Sequence, residues 1–147
     1  MKNLNLDKFR NGDIIPEAKT NEEWSAADTN KNPAWCYYDN DPANGEKYGK
    51  LYNWYAVNDS RGLAPEGYKI PTIEELMDIE FAGLPGGYRY YNGEFNYVGG
   101  YGFWWSSSED FTNFAWNCEL TNYNDYVNRN YNTKGSGLSV ICIKETI

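Results

Sequence analysis

The sequence predicts an α+β domain, and three observations predict it. Two helix-start signatures stand in its first half, at Thr20-Asn21-Glu22-Glu23 and Thr72-Ile73-Glu74-Glu75. Each pairs a threonine N-cap with a glutamate three residues on, the reciprocal capping box. The second half turns to strand-like segments around the Asn92-Gly93 dipeptide, a hairpin signal. Finally, no repeat or linker divides the 147 residues, so residues 1–147 form one domain with early helices and late strands.

Taken in order, residues 9–16 (FRNGDIIP) form an extended piece around an Asn-Gly turn. Thr20 opens a short helix, and residues 34–38 (AWCYY) make a short aromatic strand. The turn-rich run Asp39 to Gly45 follows. Leu51, Trp54, Tyr55 and Asn58 recur at helical spacing and predict an amphipathic helix over residues 47–57. Thr72 opens a further helix carrying Leu76, Met77 and Ile79. Residues 88–97 then form a hairpin with a type I′ turn. Strands follow over residues 102–107, 115–120, 126–131 and 138–144.

The core must be aromatic. With 14 Tyr and 6 Trp, rings supply much of the buried area, and their polar atoms need partners. The net charge of −8 and the absence of a basic cluster argue against nucleic acid and anionic membrane surfaces as partners. No apolar run approaches the roughly 20 residues of a membrane span. The first residues do not form a signal peptide. There is no histidine, which removes Ser-His triads, Cys-His pairs and His-ligated metals together. Cys36, Cys118 and Cys142 are odd in number, lack CxxC spacing and lie among apolar neighbours, which describes buried thiols; a Cys36–Cys142 bond stays open at this stage. The carboxylate pairs Glu22/Glu23 and Glu74/Glu75 occupy first helical turns, where acids stabilise the dipole, so neither calls for catalysis. No enzyme is expected.

Several segments in series resemble one family: residues 9–16 (FRNGDIIP), 33–41 (PAWCYYDND), 48–57 (YGKLYNWYAV), 62–75 (GLAPEGYKIPTIEE), 84–89 (LPGGYR), 102–109 (GFWWSSSE) and 137–143 (GLSVICI). In that order they are similar to the Fibrobacter succinogenes major paralogous domain, abundant in surface and secreted bacterial proteins. The resemblance implies a C-type-lectin-like fold related to the formylglycine-generating enzymes. That fold has two helices, a twisted antiparallel sheet and much irregular loop. It also implies a location at the cell surface, outside the cell or on a virion. The chain departs from the pattern in three ways. A strand that usually precedes the first segment and pairs with the last is absent, the stretch from Asp78 to Leu84 is short, and Leu138 and Ile141 replace Phe and Arg. The related copper chemistry needs a cysteine pair, and no matching motif surrounds Cys118 or Cys142.

Residues 106–137 are the candidate variable ligand face. Seven asparagines alternate there with tyrosine and phenylalanine inside strand-like segments, although asparagine is depleted in strands. Turns explain one or two of them. The mixture resembles an antibody paratope, in which tyrosine supplies stiff contact area and asparagine adaptable hydrogen bonds. The predicted ligand contacts are Asp110, Phe111, Asn113, Phe114, Asn117, Glu119, Asn122, Tyr123, Asn124, Tyr126, Asn128, Asn130, Tyr131 and Asn132. Trp105, Trp116, Leu120 and Val127 are inward anchors. Alternation sends Asn117, Glu119 and Thr121, with Asn128, Asn130 and Asn132, to one outer side. In lectin-like proteins diversified by retroelements this region is rewritten by adenine-directed mutagenesis, and the mixture looks like such an outcome, with Cys118 a by-product. A template repeat beside a reverse transcriptase gene is then expected, and a locus carrying neither would remove the idea.

The expected function is recognition of a protein or glycan on another cell surface, as in an adhesin or a phage receptor-binding protein. The alternatives are a structural domain without its own ligand and a calcium-dependent sugar binder. For calcium, Asp39 to Glu46 crowds oxygen ligands, but the EF-hand spacing fails and the lectin sugar-binding signatures are absent, so a turn leading into a helix is the simpler reading. Arg89 and Arg129 read as surface ion pairs or loop pins, with Arg129 also placed near the ligand face.

Overall fold

Both capping boxes open helices in the computed structural model of the chain, which describes residues 2–79, 83–121 and 127–146. Helix α1 (Asn21–Thr29) begins with Thr20 Oγ1 accepting from Glu23 N at 3.0 Å, while Glu23 Oε1 accepts from Thr20 N at 3.2 Å. Strand β1 (Trp35–Cys36) follows, then helix α2 (Pro42–Tyr48), capped by Asp41 Oδ1, which accepts from Ala43 N. The Asp39–Glu46 segment is thus a turn and a helix start, with the Asn44 amide donating to Tyr38 O.

The single helix expected over residues 47–57 is three elements instead. Helix α2 stops at Gly49, whose φ of 76° is left-handed and ends a helix at low cost. Strand β2 (Leu51–Tyr52) then pairs antiparallel with β1, and the short helix α3 (Trp54–Val57) starts on an Asn53 cap. Leu51, Tyr52 and Trp54 are all buried, so their spacing reflects packing on several sides and not one helical face. Strand β3 (Tyr68–Lys69) precedes helix α4 (Ile73–Asp78), whose box uses Thr72 and Glu75. The described residues thus hold four short α-helices where the resemblance implied two.

Strands β4 (Tyr88–Arg89) and β5 (Phe95–Asn96) form the hairpin. Its turn is not type I′, because only Gly93, at φ 100°, and not Asn92, has a left-handed backbone there. Gly93 N donates to Tyr90 O and Tyr90 N to Glu94 O, the pattern of a type I turn closed by a glycine bulge. Strands β6 (Tyr101–Phe111), β7 (Phe114–Thr121) and β8 (Val127–Thr133) make an antiparallel three-stranded sheet in the order β6-β7-β8. Strand β9 (Ile143–Lys144) pairs with β3, and Leu4 N donates to Val140 O. The strand expected over residues 138–144 is mostly a bridging seam, with Gly137 against Arg89, Leu138 against Tyr52 and Ser139 against Trp104. The fold is therefore mixed α and β, with several small antiparallel sheets. Among the described residues no helix is long and apolar enough to cross a membrane.

The core is built from rings whose polar atoms are satisfied. The indole N–H of Trp24, Trp35, Trp54 and Trp105 donates to the carbonyls of Tyr90, Ile15, Ser106 and Tyr52, and that of Trp104 to Asn3 Oδ1. Each bond offsets the desolvation of a buried donor. Arg89 is not a surface charge: it is 0% exposed, lies over the rings of Trp24 and Phe95, and donates to Ala18 O, Lys19 O, Gly93 O and Asn21 Oδ1. Cys36, Cys118 and Cys142 are free thiols in three different surroundings, so no Cys36–Cys142 bond exists. Burial pushes Cys36 and Cys142 up to about 12 and Cys118 upward as well, so all three are protonated and inert at neutral pH.

Candidate ligand-binding face

The β6-β7-β8 sheet has two unlike sides, and strand alternation assigns its residues to them. Trp104, Cys118 and Leu120 face helix α4, packing with Ile73, Leu76 and Ile141. Phe103, Trp105 and Ala115 belong to the opposite side, and there they join the main core. Register places Phe103 across from Glu119 and Trp105 across from Asn117. On the next strand Glu119 meets Asn128, Asn117 meets Asn130, and Ala115 meets Asn132. This second side is therefore core at one end and open at the other.

Over the open end lies the β4–β5 hairpin with the turn that follows it. Tyr97 is 52% exposed and has φ 78°, a backbone conformation that a bulky residue rarely adopts. Such strain costs on the order of 1–3 kcal/mol and persists where the surroundings impose it. Here its ring stacks near-parallel on Tyr101 (4.8 Å between centroids) and on Tyr88 (5.8 Å). Phe103 is tilted against Tyr88 at 5.0 Å. Together Tyr88, Tyr97, Tyr101, Phe103, Glu119, Asn130 and Asn132 line a shallow cleft of about 250 Å³. Burial raises the Tyr88 phenol above its ordinary value, and neighbouring Tyr97, Tyr90 and Glu94 add to the shift. It stays protonated and can donate a hydrogen bond at neutral pH.

Two larger hollows, each near 630 Å³, lie elsewhere. One is lined by Asn3, Asn5, Glu46, Lys47 and Leu84 and the other by Leu4, Pro65, Tyr68, Cys142 and Lys144. Neither gathers rings and polar side chains as the smaller cleft does, so the cleft is the better candidate.

The predicted contacts distribute unevenly. Asn128 and Asn130 are exposed, and Glu119 and Asn132 half-buried, on the side carrying the cleft. Asn130 Nδ2 reaches Glu119 Oε1 at 3.4 Å. Phe111, Asn113 and Asp110 stand at or near the β6–β7 turn, with Phe111 67% exposed. Lys134 holds that turn through Glu109 Oε2 and Thr112 O, each at 2.7 Å. One assignment needs correction, and one exposed residue stands on the opposite side of the sheet from the cleft. Asn117 is fully buried because β7 is the central strand; its Oδ1 accepts from Asn132 Nδ2 at 2.9 Å and its Nδ2 donates to Cys118 O. Its buried side chain holds Asn132 and presents no surface of its own. Tyr131 lies on the reverse side, edge-on to Trp116 and Phe114, because it alternates with Asn130 and Asn132. Arg129 also faces that reverse side, 4.4 Å over the Trp116 ring. Cys118, buried against α4, is no surface by-product. Asn122, Tyr123, Asn124 and Tyr126 lie outside the described residues.

The burial of Asn117 is testable. Asn117→Ala removes the acceptor of the half-buried Asn132 amide and leaves a small void in the central strand, at a cost of about 1–3 kcal/mol. Asn128→Ala, on the exposed edge strand, stays within about 0.5 kcal/mol of the parent. Equal melting temperatures for the two variants would return Asn117 to the surface.

Tyr88, Tyr97, Tyr101 and Phe103, which line this cleft, are not among the predicted contacts, since residues 88–97 read as a hairpin and residues 102–107 as a strand. The density of tyrosine around Asn92-Gly93 was the available signal. Among the described residues no three His, Cys, Asp or Glu side chains converge as a metal-binding group. Neither a curated protein nor a solved structure matches the chain. The family model for the Fibrobacter succinogenes major domain matches residues 1–82, more than half of the 147, so the chain belongs to that family, with the sheet that carries the cleft lying beyond the matched segment.

Proposed function

We propose that the chain is a non-enzymatic recognition module, a C-type-lectin-like scaffold that binds a protein or glycan of another cell surface through the cleft side of the β6-β7-β8 sheet. The carrying observation is Tyr97, a large ring held in a costly backbone conformation yet left 52% exposed beside a row of amide and carboxylate side chains. The stack on Tyr88 and Tyr101 fixes the ring while half of it stays open, which fits a pre-organised contact. The exposed asparagines of β8 can be exchanged without touching the core, which is what a diversified face requires.

The test is a glycan array, run with and without a calcium chelator, together with a displayed panel of surface proteins. Tyr97→Ala should weaken any specific binding by about thirtyfold, the effect of losing a hot-spot aromatic. Its melting temperature should move by less than about 3 °C, since the ring is half exposed. Binding retained by folded Tyr97→Ala and Asn130→Ala variants would place the ligand elsewhere. A chain that captures neither class of ligand would favour a purely structural role.

A further inference from the structure

Resting on that reading of the cleft, we propose that the group it receives is an organic cation: an alkylammonium or guanidinium head. The cleft combines two features that favour such a group. Its walls are the rings of Tyr88, Tyr97, Tyr101 and Phe103, with Phe103 tilted 43° to 55° from the three tyrosines, so that aromatic surface is presented in more than one orientation. Ring faces carry negative potential and attract cations that have left water. On the same wall stands Glu119, whose carboxylate can accept about four hydrogen bonds and is engaged by Asn130 at a long 3.4 Å.

Among the described residues, no lysine or arginine lines the cleft. The nearby cations are committed elsewhere. Arg129 lies over Trp116 on the reverse side of the sheet, Arg89 is buried on carbonyl oxygens, and Lys134 pairs with Glu109. The site's own charge is therefore negative, in a chain of net charge −8. An anionic ligand would meet Glu119 without compensation, and a neutral one would leave its charge unmatched. A volume near 250 Å³ suits one head group or one side chain, with Asn130 and Asn132 at the rim to orient what is attached to it.

The full chain is titrated by calorimetry with choline, with arginine amide, and with 3,3-dimethylbutan-1-ol, the neutral isostere of choline. Tyrosine ring resonances report the location. Choline or arginine amide should bind saturably at the cleft, roughly tenfold more tightly than the isostere, the difference a desolvated cation–ring contact supplies. The stronger of the two identifies the head group. Glu119→Gln, which preserves shape, should weaken the cation about tenfold and leave the isostere unchanged, and Tyr97→Ala should abolish the ring shifts. Isostere and cation binding equally, or Glu119→Gln without effect, overturns the inference. If neutral oligosaccharides or a protein without a basic contact occupy the cleft in a Tyr97-dependent way while both cations fail, the inference falls and the recognition role stands. If nothing binds there, both fall.

Discussion

Replacing Arg89 by methionine should lower the melting temperature by about 10 °C. The reasoning turns on what is left behind. Burying a cation is costly, and an apolar replacement of a buried ion pair is often neutral because both charges go together. Here no carboxylate shares the site among the described residues. The partners are the carbonyls of Ala18, Lys19 and Gly93 and the amide oxygen of Asn21, at 2.8–3.2 Å, and three of them belong to backbone that no side-chain change removes. Methionine would fill the slot between Trp24 and Phe95 but strip the buried Ala18 O and Gly93 O of their donors, each costing about 1–3 kcal/mol, while Lys19 O keeps the Asn40 amide at 2.8 Å. The sum, about 3–5 kcal/mol, corresponds to the expected shift at 2–4 °C per kcal/mol for a domain of this size. Arg89→Lys keeps the charge but not the fork of donors, and should recover only part of the loss. A methionine variant melting within about 3 °C of the parent would show that the guanidinium does not tie the start of α1 to the hairpin.

Arg89 also marks where the sequence stopped being informative. Capping boxes are legible because both partners lie within three residues, and Thr20/Glu23 and Thr72/Glu75 form as their spacing requires. Period-two alternation placed Asn128, Asn130 and Asn132 on one side for the same local reason. Burial is not local. Whether Asn117 is outside or inside depends on β7 lying between two strands, and whether Arg89 is wet depends on a segment 70 residues away. The 47–57 segment misleads because packing against several neighbours produced a helical spacing, while Gly49 alone carried the break. The tyrosine density around Tyr97 was legible, but its backbone was not, because nothing in a tyrosine's identity announces a positive φ.

That last point makes Gly87 the second decisive position. It opens β4 with φ 66°, and a Cβ added there would lie 2.5 Å from Asn96 O, 2.7 Å from Val98 N and 2.8 Å from Tyr38 Cε2. Two of those neighbours are backbone atoms flanking Tyr97, so relief must come from moving the residues that hold the stacked ring. Gly87→Ala therefore combines a left-handed alanine, costing about 1–2 kcal/mol, with overpacking of about 1–3 kcal/mol. Gly67→Ala is the control, since its φ is 84° but nothing lies within 4 Å of the added atom. The control should pay the conformational cost alone and keep the cleft. The difference in melting temperature between the two variants isolates the steric part, expected at about 5 °C. Any ligand of the cleft should bind the Gly87 variant at least about tenfold more weakly, because a shift of about 1 Å in a pre-organised ring is enough to lose its contact. If Gly87→Ala and Gly67→Ala melt together and bind alike, the hairpin yields without strain, and Tyr97 is not held in place by the close approach of these backbones.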